Sequence, residues 1–257
     1  MAGKIIKRLY LFSVYIFLYA PLFIVIILSF NKSEFSTNWT GFTTKWYIKL
    51  FNNSTLIDSA INSFIVASSS ATLAMIIGTL ASVSIFRYRF FGKNFLITIT
   101  YILMMSPEIV MGISLLILFK LITMPLGFTT LLIAHTTMSL PFVMIVLFTR
   151  LSGFDKTIIE AGKDLGADEW RIFWYIILPS VAPAVVAGWL LSFTISMDDT
   201  IVSTFTTGPT FEVLPLKIYS MVRLGIKPEV NALSAIIFLF CIVLVVIAQF
   251  LLKERRK

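Results

Sequence analysis

Long apolar runs separated by short polar ones dominate the chain. Six of the runs, at about 10–30, 59–86, 95–119, 129–149, 180–203 and 232–252, reach the roughly 20 residues that an α-helix needs to cross a bilayer. Backbone polar groups find no partners in lipid, so runs of this length predict helices. The pattern therefore predicts an all-α, polytopic membrane protein with six transmembrane helices. The first run is too long for a signal-peptide core, and no small-residue cleavage site follows it, so it reads as a retained span.

Finer periodicities lie inside and between the runs. Ser70, Ala74, Gly78 and Ser82 recur at four-residue steps and form one stripe of small residues, a surface that lets another helix approach closely. Phe42, Trp46 and Leu50, with Tyr47 and Phe51 beside them, predict an amphipathic helix lying at the outer membrane interface. Turn signals at Gly208-Pro209 and Lys227-Pro228 frame a second outer segment, Leu214 to Leu224, that reads as a short helix.

Charge sets the orientation. Lys4, Lys7 and Arg8 precede the first run, and Arg87, Arg89 and Lys93 separate the second and third. Arg150, Lys156, Lys163 and Arg171 separate the fourth and fifth, and Lys253, Arg255, Arg256 and Lys257 follow the sixth. The opposite side carries fewer basic residues over longer loops. The positive-inside rule then places both termini in the cytoplasm.

Composition agrees: 58% of residues are hydrophobic and 13% charged, against roughly a quarter charged in soluble domains. The formal charge of +8 flanks the apolar runs and forms no single basic face, which argues against nucleic acid as a partner. One cysteine, Cys241, excludes an intramolecular disulfide, and no metal-ligand spacing occurs.

The segment 150–179 is the one sizeable loop expected inside the cell. Asp155 and Thr157 are good helix starters, and Thr157-x-x-Glu160 fits a capping box. Gly166 is a helix stop, and Asp168-Glu169 suit the start of the next helix. A short helix over about Ile158 to Leu165 follows, with Ile158, Ala161 and Leu165 on one face and Glu160, Lys163 and Asp164 on another. Such a helix is a docking element or an interfacial anchor.

In this loop Glu160-Ala161-Gly162, then Gly166, then Ile176-Ile177-Leu178-Pro179 resembles the cytoplasmic signature of ABC importer permeases, with Gly162 replacing the usual second alanine. Segments along nearly the whole chain resemble the spermidine/putrescine subgroup and the second of its two permeases. They are Trp39 to Tyr47, Ser106-Pro107-Glu108 and the residues after it, Ser196-Met197-Asp198-Asp199, and Thr207-Gly208-Pro209. The resemblance implies a type I ABC importer permease fold over 1–257, with 150–179 as a cytoplasmic coupling loop. It implies that Glu160, Ala161, Gly162, Gly166, Ile176 and Pro179 form the ATPase-coupling site.

The implied partners are a paralogous permease completing a heterodimer, two ATPase subunits, and an extracytoplasmic solute-binding protein that delivers a polyamine. The implied place is the bacterial cytoplasmic membrane. No G-x-x-x-x-G-K-[ST] loop occurs in the chain, so it is expected to bind no cofactor and not to be an enzyme, with ATP and Mg used by the partner ATPase.

Three carboxylates, Glu108, Asp198 and Asp199, fall inside apolar runs. Intramembrane acids are costly and tend to mark pathways, and a polycationic cargo needs anions on its way. These three, with Tyr219 as a gating candidate, form the expected substrate pathway. Competing roles remain: Glu108 can satisfy backbone freed by Pro107, and Asp198 or Asp199 can pair with a partner subunit. His135, the one histidine, reads as a satisfied packing residue rather than a proton relay. The alternatives at the level of function are the same importer class with another cargo (a metal cation, thiamine or an oxyanion), or an ion-coupled secondary transporter.

Overall fold

The computed structural model describes residues 2–34, 38–223 and 228–254. In chain order these form α1 (Ala2–Leu28), α2 (Lys45–Phe51), α3 (Ser54–Arg87), α4 (Lys93–Met105), α5 (Glu108–Leu121), α6 (Phe128–Ser152) and α7 (Thr157–Asp164). They continue with α8 (Glu169–Arg171), a π-helical turn (Ile172–Ile177), α9 (Leu178–Asp198), α10 (Ile201–Thr206), α11 (Leu214–Arg223) and α12 (Pro228–Glu254). Among the described residues the β structure is limited to two isolated bridges, Asn31 with Phe42 and Gly208 with Phe211, so the protein is all-α.

Among the described residues, four helical stretches are long and apolar enough to cross a membrane: Lys7–Leu28, Ser54–Arg87, Phe128–Ser152 and Glu169–Asp198. A fifth is added if α4 and α5 are taken together. The sixth expected run, 232–252, falls in α12, whose later side chains, with that of Cys241, lie outside the described residues.

Two of the expected runs are broken. The run 95–119 is not one straight helix, because α4 and α5 meet at 112°. Pro107 disfavours the α conformation for the residue before it, and Ser106 is extended at φ −69°, ψ 132°. The freed Pro107 carbonyl then accepts the first bonds of α5, from Val110 N at 3.0 Å and Met111 N at 3.2 Å. The run 180–203 likewise ends as a helix at Asp198, and the chain resumes as α10. At its other end the π-helical turn leads directly into α9, where Pro179 and Pro183 remove two backbone donors.

Two compact units divide the chain, residues 59–216 and residues 1–58 with 217–257. In the second of these, α2 contacts α12, as does α1. Trp46 and Leu50 are buried, and Trp46 Nε1 donates to the Asn31 carbonyl at 2.7 Å. Trp46 and Leu50 of α2 therefore pack on protein, while Ile48 and Phe51 of the same helix are exposed. Phe42 lies outside α2 and stacks on Phe30 at 5.2 Å. By contrast, the apolar stretch of α1 buries none of its residues within the chain, which suits a lipid-facing span.

The 59–216 unit is built on α3, α6 and α9. The small-residue stripe does the work expected of it, since Ser70, Ala74, Gly78 and Ser82 are all buried. A Cβ on Gly78 would stand 2.8 Å from Val143 Cγ1, and one on Gly188 of α9 would stand 3.3 Å from the same atom. Three helices thus close around Val143. Their core continues through Leu147 and Leu151 to Ile159, Ile172 and Ile177, which ties the loop after α6 to the base of α9.

Candidate functional site

Two places in the 59–216 unit collect the residues singled out by the sequence. The first is the loop after α6. Asp155 Oδ1 accepts the Thr157 backbone N–H at 2.9 Å, and that bond holds the Asp155 carboxyl below its usual range. The capping box does not form. Thr157 is already the first helical residue of α7, and Lys156 precedes it without a side-chain cap.

The helix stops as expected. Gly166 adopts φ +79°, its N–H reaches the Lys163 carbonyl at 2.8 Å, and the Ala167 N–H reaches Gly162 at 3.0 Å. These two bonds are the Schellman arrangement, which favours glycine at the left-handed position.

The loop's signature residues divide between two faces. Ile159 and Gly162 turn inward, and a Cβ on Gly162 would meet Ile176 Cδ1 at 2.7 Å. Glu160, Ala161, Gly166 and Pro179 are exposed. Ile158 on α7 and Leu165 just after it are 49% and 89% exposed. Gly162 and Ile176 thus fasten α7 to the chain, while Glu160 and Ala161 face outward.

A charged cluster secures the same helix. Asp168 caps α8 by accepting the Arg171 N–H at 2.7 Å. Glu169 pairs with Arg87 at the end of α3, with Lys163 of α7 at 3.4 Å, and with the Tyr88 hydroxyl at 3.0 Å. The sequence placed these residues on the same side of the membrane without pairing them.

The second place lies at the two helix breaks. Glu108 begins α5 immediately after its break and is exposed. Asp198 ends α9 and is exposed, whereas its neighbour Asp199 is buried. Asp199 Oδ1 accepts Val202 N–H at 3.1 Å, and Oδ2 accepts Ser203 N–H at 2.7 Å and Ser203 Oγ–H at 2.8 Å. It caps the start of α10, a task the sequence did not reveal. His135 is buried as well, with Nδ1 2.6 Å from Ser196 Oγ, Nε2 3.0 Å from Ser203 Oγ, and Nε2 3.4 Å from Asp199 Oδ2. It is a satisfied interior residue, as its sequence context suggested.

The breaks belong to one assembly, because α10 packs on α5. A Cβ on Gly112 would lie 2.7 Å from Phe205 Cδ2 and 3.4 Å from Val202 Cα. Thr130 Oγ1 donates to the Thr206 carbonyl at 2.7 Å and pins the far end of α10 to α6. Gly112, Ser196 and Ser203 were not singled out as site residues. Their one sequence signal is a small or hydroxyl side chain inside an apolar run. Tyr219 stands on α11 in the other unit, half exposed, with the Arg223 guanidinium 4.6 Å from its ring centroid. Among the described residues no group of three or more His, Cys, Asp or Glu side chains is placed to hold a metal.

Comparison with known proteins adds a sequence axis to this geometry. Residues 70–257 match the family model described as the inner membrane component of binding-protein-dependent transport systems. The chain is 50% identical over 257 residues to the spermidine/putrescine transport system permease protein PotC of Escherichia coli K12, covering 100% of this chain and 97% of that one. It is 40% identical over 229 residues to the putrescine transport system permease protein PotI of the same organism, covering 86% and 81%. Among solved structures, a bacterial ABC transporter involved in the import of the acidic polysaccharide alginate matches with a TM-score of 0.77 at 14% identity, over 98% of this chain and 96% of that one. At that identity the likeness concerns the fold.

Proposed function

We propose that this chain, which belongs to the family of inner membrane components of binding-protein-dependent transport systems, is a polyamine permease subunit of an ATP-driven importer. The observation that carries the reading is identity to spermidine/putrescine permeases along the entire chain, with no region set aside. In this reading the protein spans the bacterial cytoplasmic membrane six times with both termini inside. It pairs with a paralogous permease, receives cargo from an extracytoplasmic binding protein, and docks two ATPase subunits that use ATP and Mg.

The arrangement of α7 supports the coupling role. A docked ATPase meets Glu160, Ala161, Ile158 and Leu165, while Gly162, Ile159 and Glu169 transmit the push into α9 and α3. α9 is 21 residues long, about 32 Å at 1.5 Å per residue, and it carries Asp198 at its far end. One rigid element therefore joins the docking helix to an exposed acid. Glu108 and Asp198 serve as passing contacts for ammonium groups, while Asp199, turned inward, shapes the wall. Exposure suits this task, because a cargo bound in a deep dry well would not be released.

The test is reconstitution of the complete complex in proteoliposomes with labelled spermidine and putrescine. Uptake should require ATP and the binding protein, and should persist when the proton gradient is collapsed. Uptake that tracks the gradient and ignores ATP would point to secondary transport. ATP-driven uptake of thiamine, a metal cation or an oxyanion in place of polyamines would keep the importer and replace its cargo.

A further inference from the structure

The hydroxyls around His135 have an order. Ser203 Oγ donates its single proton to Asp199, so towards His135 it can only accept. The ring nitrogen facing it, Nε2, therefore carries a proton. In the neutral ring Nδ1 is then an acceptor, and Ser196 Oγ at 2.6 Å is its donor. Ser70 Oγ lies 3.2 Å from Ser196 Oγ and 3.2 Å from the Ala67 carbonyl, two acceptors that share its single proton. The result is one directed chain, from Ser196 to His135 to Ser203 to Asp199, with Ser70 beside its first member. Each member is buried, and every donor points towards the same carboxylate. Hydrogen bonds aligned in this way reinforce one another in a low-dielectric interior.

With Ser70, the chain draws on each central helix of the unit: Ser70 on α3, His135 on α6, Ser196 on α9. Its end point controls the break. Asp199 is extended at φ −69°, ψ 122° directly after Asp198, the last residue of α9. Anchoring the buried Asp199 therefore fixes the end of α9 from which the adjacent, exposed Asp198 projects.

We propose that His135 is a positioning residue for cargo transfer, which acts through Ser203 and Asp199 to present the Asp198 carboxylate to the pathway. The proposal rests on the reading of Asp198 as a cargo contact. It differs from simple helix-to-helix gluing because it makes the effect of His135 depend on the charge at position 198.

A double-mutant cycle in the reconstituted complex tests it, with assembly and melting temperature followed in every variant. His135→Leu removes both ring contacts. It should lower polyamine uptake about tenfold beside Asp198, yet less than about twofold in an Asp198→Asn background, the non-additivity expected of coupled residues. His135→Gln keeps an amide donor and should restore most of the uptake. His135→Phe, which also removes both ring contacts, replaces His135→Leu in the cycle if the leucine variant does not assemble. Cargo-stimulated ATP hydrolysis replaces uptake as the readout if Asp198→Asn leaves no measurable uptake. Wild-type uptake in His135→Leu, or the same loss in both backgrounds, overturns the proposal while leaving the importer reading intact. Wild-type uptake in Asp198→Asn removes the cargo role of Asp198, and a remaining His135→Leu defect then assigns the network to folding alone.

Discussion

Gly162 and Ile176 touch so closely that a single methyl group on the glycine would stand 2.7 Å from Ile176 Cδ1. The contact fastens the outward-facing α7 to the π-helical turn beneath α9. Cδ1 is the flexible end of its side chain, so Gly162→Ala should be tolerated with a small loss of melting temperature. Ile176→Val, which deletes that methyl, should relieve the loss. Gly162→Leu cannot be accommodated by rotation and should cost about 1–3 kcal/mol as an overpacked site. Thermal unfolding in detergent checks all three variants. Equal stability of Gly162→Leu and the parent would show that α7 is not seated as described.

The outward face of α7 calls for a different probe. Gly166 is held at φ +79°, so any side chain there strains the Schellman turn whether or not a partner docks, at about 1 kcal/mol. Ala161, exposed and with no such constraint, is the cleaner site. Ala161→Glu should leave membrane insertion and melting temperature unchanged, but abolish co-purification with the ATPase and cargo-stimulated hydrolysis. Normal assembly and import in this variant would sink the coupling assignment.

Adjacent aspartates should give opposite phenotypes. Asp198→Asn removes an exposed charge that has no assigned structural task, so uptake should fall with the fold unchanged, more for spermidine than for the shorter putrescine. Asp199→Asn replaces a buried carboxylate that accepts three bonds from Val202 and Ser203, and the amide nitrogen cannot accept. Weakening a charged acceptor of this kind costs about 1.5–3 kcal/mol, so the melting temperature should fall before transport is considered. Glu108→Gln should behave like Asp198→Asn. Parallel uptake and melting measurements separate the two classes, and destabilisation by Asp198→Asn would reverse the assignment.

Much of this architecture was legible in the sequence because it rests on local periodicity. The four-residue step of Ser70, Ala74, Gly78 and Ser82 marked the packing face of α3, and Gly166 marked the end of α7. What escaped depends on contacts distant in sequence. Pro107 signalled a kink, but the packing of α10 on the helix that follows it also requires the space that Gly112 leaves for Phe205. Asp198 and Asp199 are the same residue type side by side, and only Ser203 and His135 decide which of them turns inward. Trp46 read as an interfacial aromatic until the Asn31 carbonyl supplied a buried acceptor for its N–H. The capping box at Thr157 failed because Asp155, two residues earlier, occupies the N–H first.

Lys49 and Glu229 form an ion pair with unequal burial, the glutamate side chain 6% exposed and the lysine 49%. The hydrogen bond to Glu229 raises the Lys49 pKa, against a smaller opposing effect of burial. A group raised in the folded state contributes its stability in full below its unfolded pKa, about 10.4 for lysine, and loses it as pH rises through the folded value. The pair should therefore be silent in a melting profile between neutrality and pH 9, and fail only at the alkaline end. Unequal burial predicts unequal mutants. Lys49→Ala leaves a buried carboxylate without its cation, and Glu34, whose carboxylate lies 3.9 Å from the lysine, cannot replace it. Glu229→Gln leaves a half-exposed ammonium that water can solvate. Lys49→Ala should then destabilise the protein by about 1–3 kcal/mol and Glu229→Gln by less, with the double variant recovering part of the lysine loss. Melting temperatures of the three variants at pH 7, repeated at pH 11, test the argument. A larger loss in Glu229→Gln than in Lys49→Ala would mean that the glutamate holds something other than Lys49.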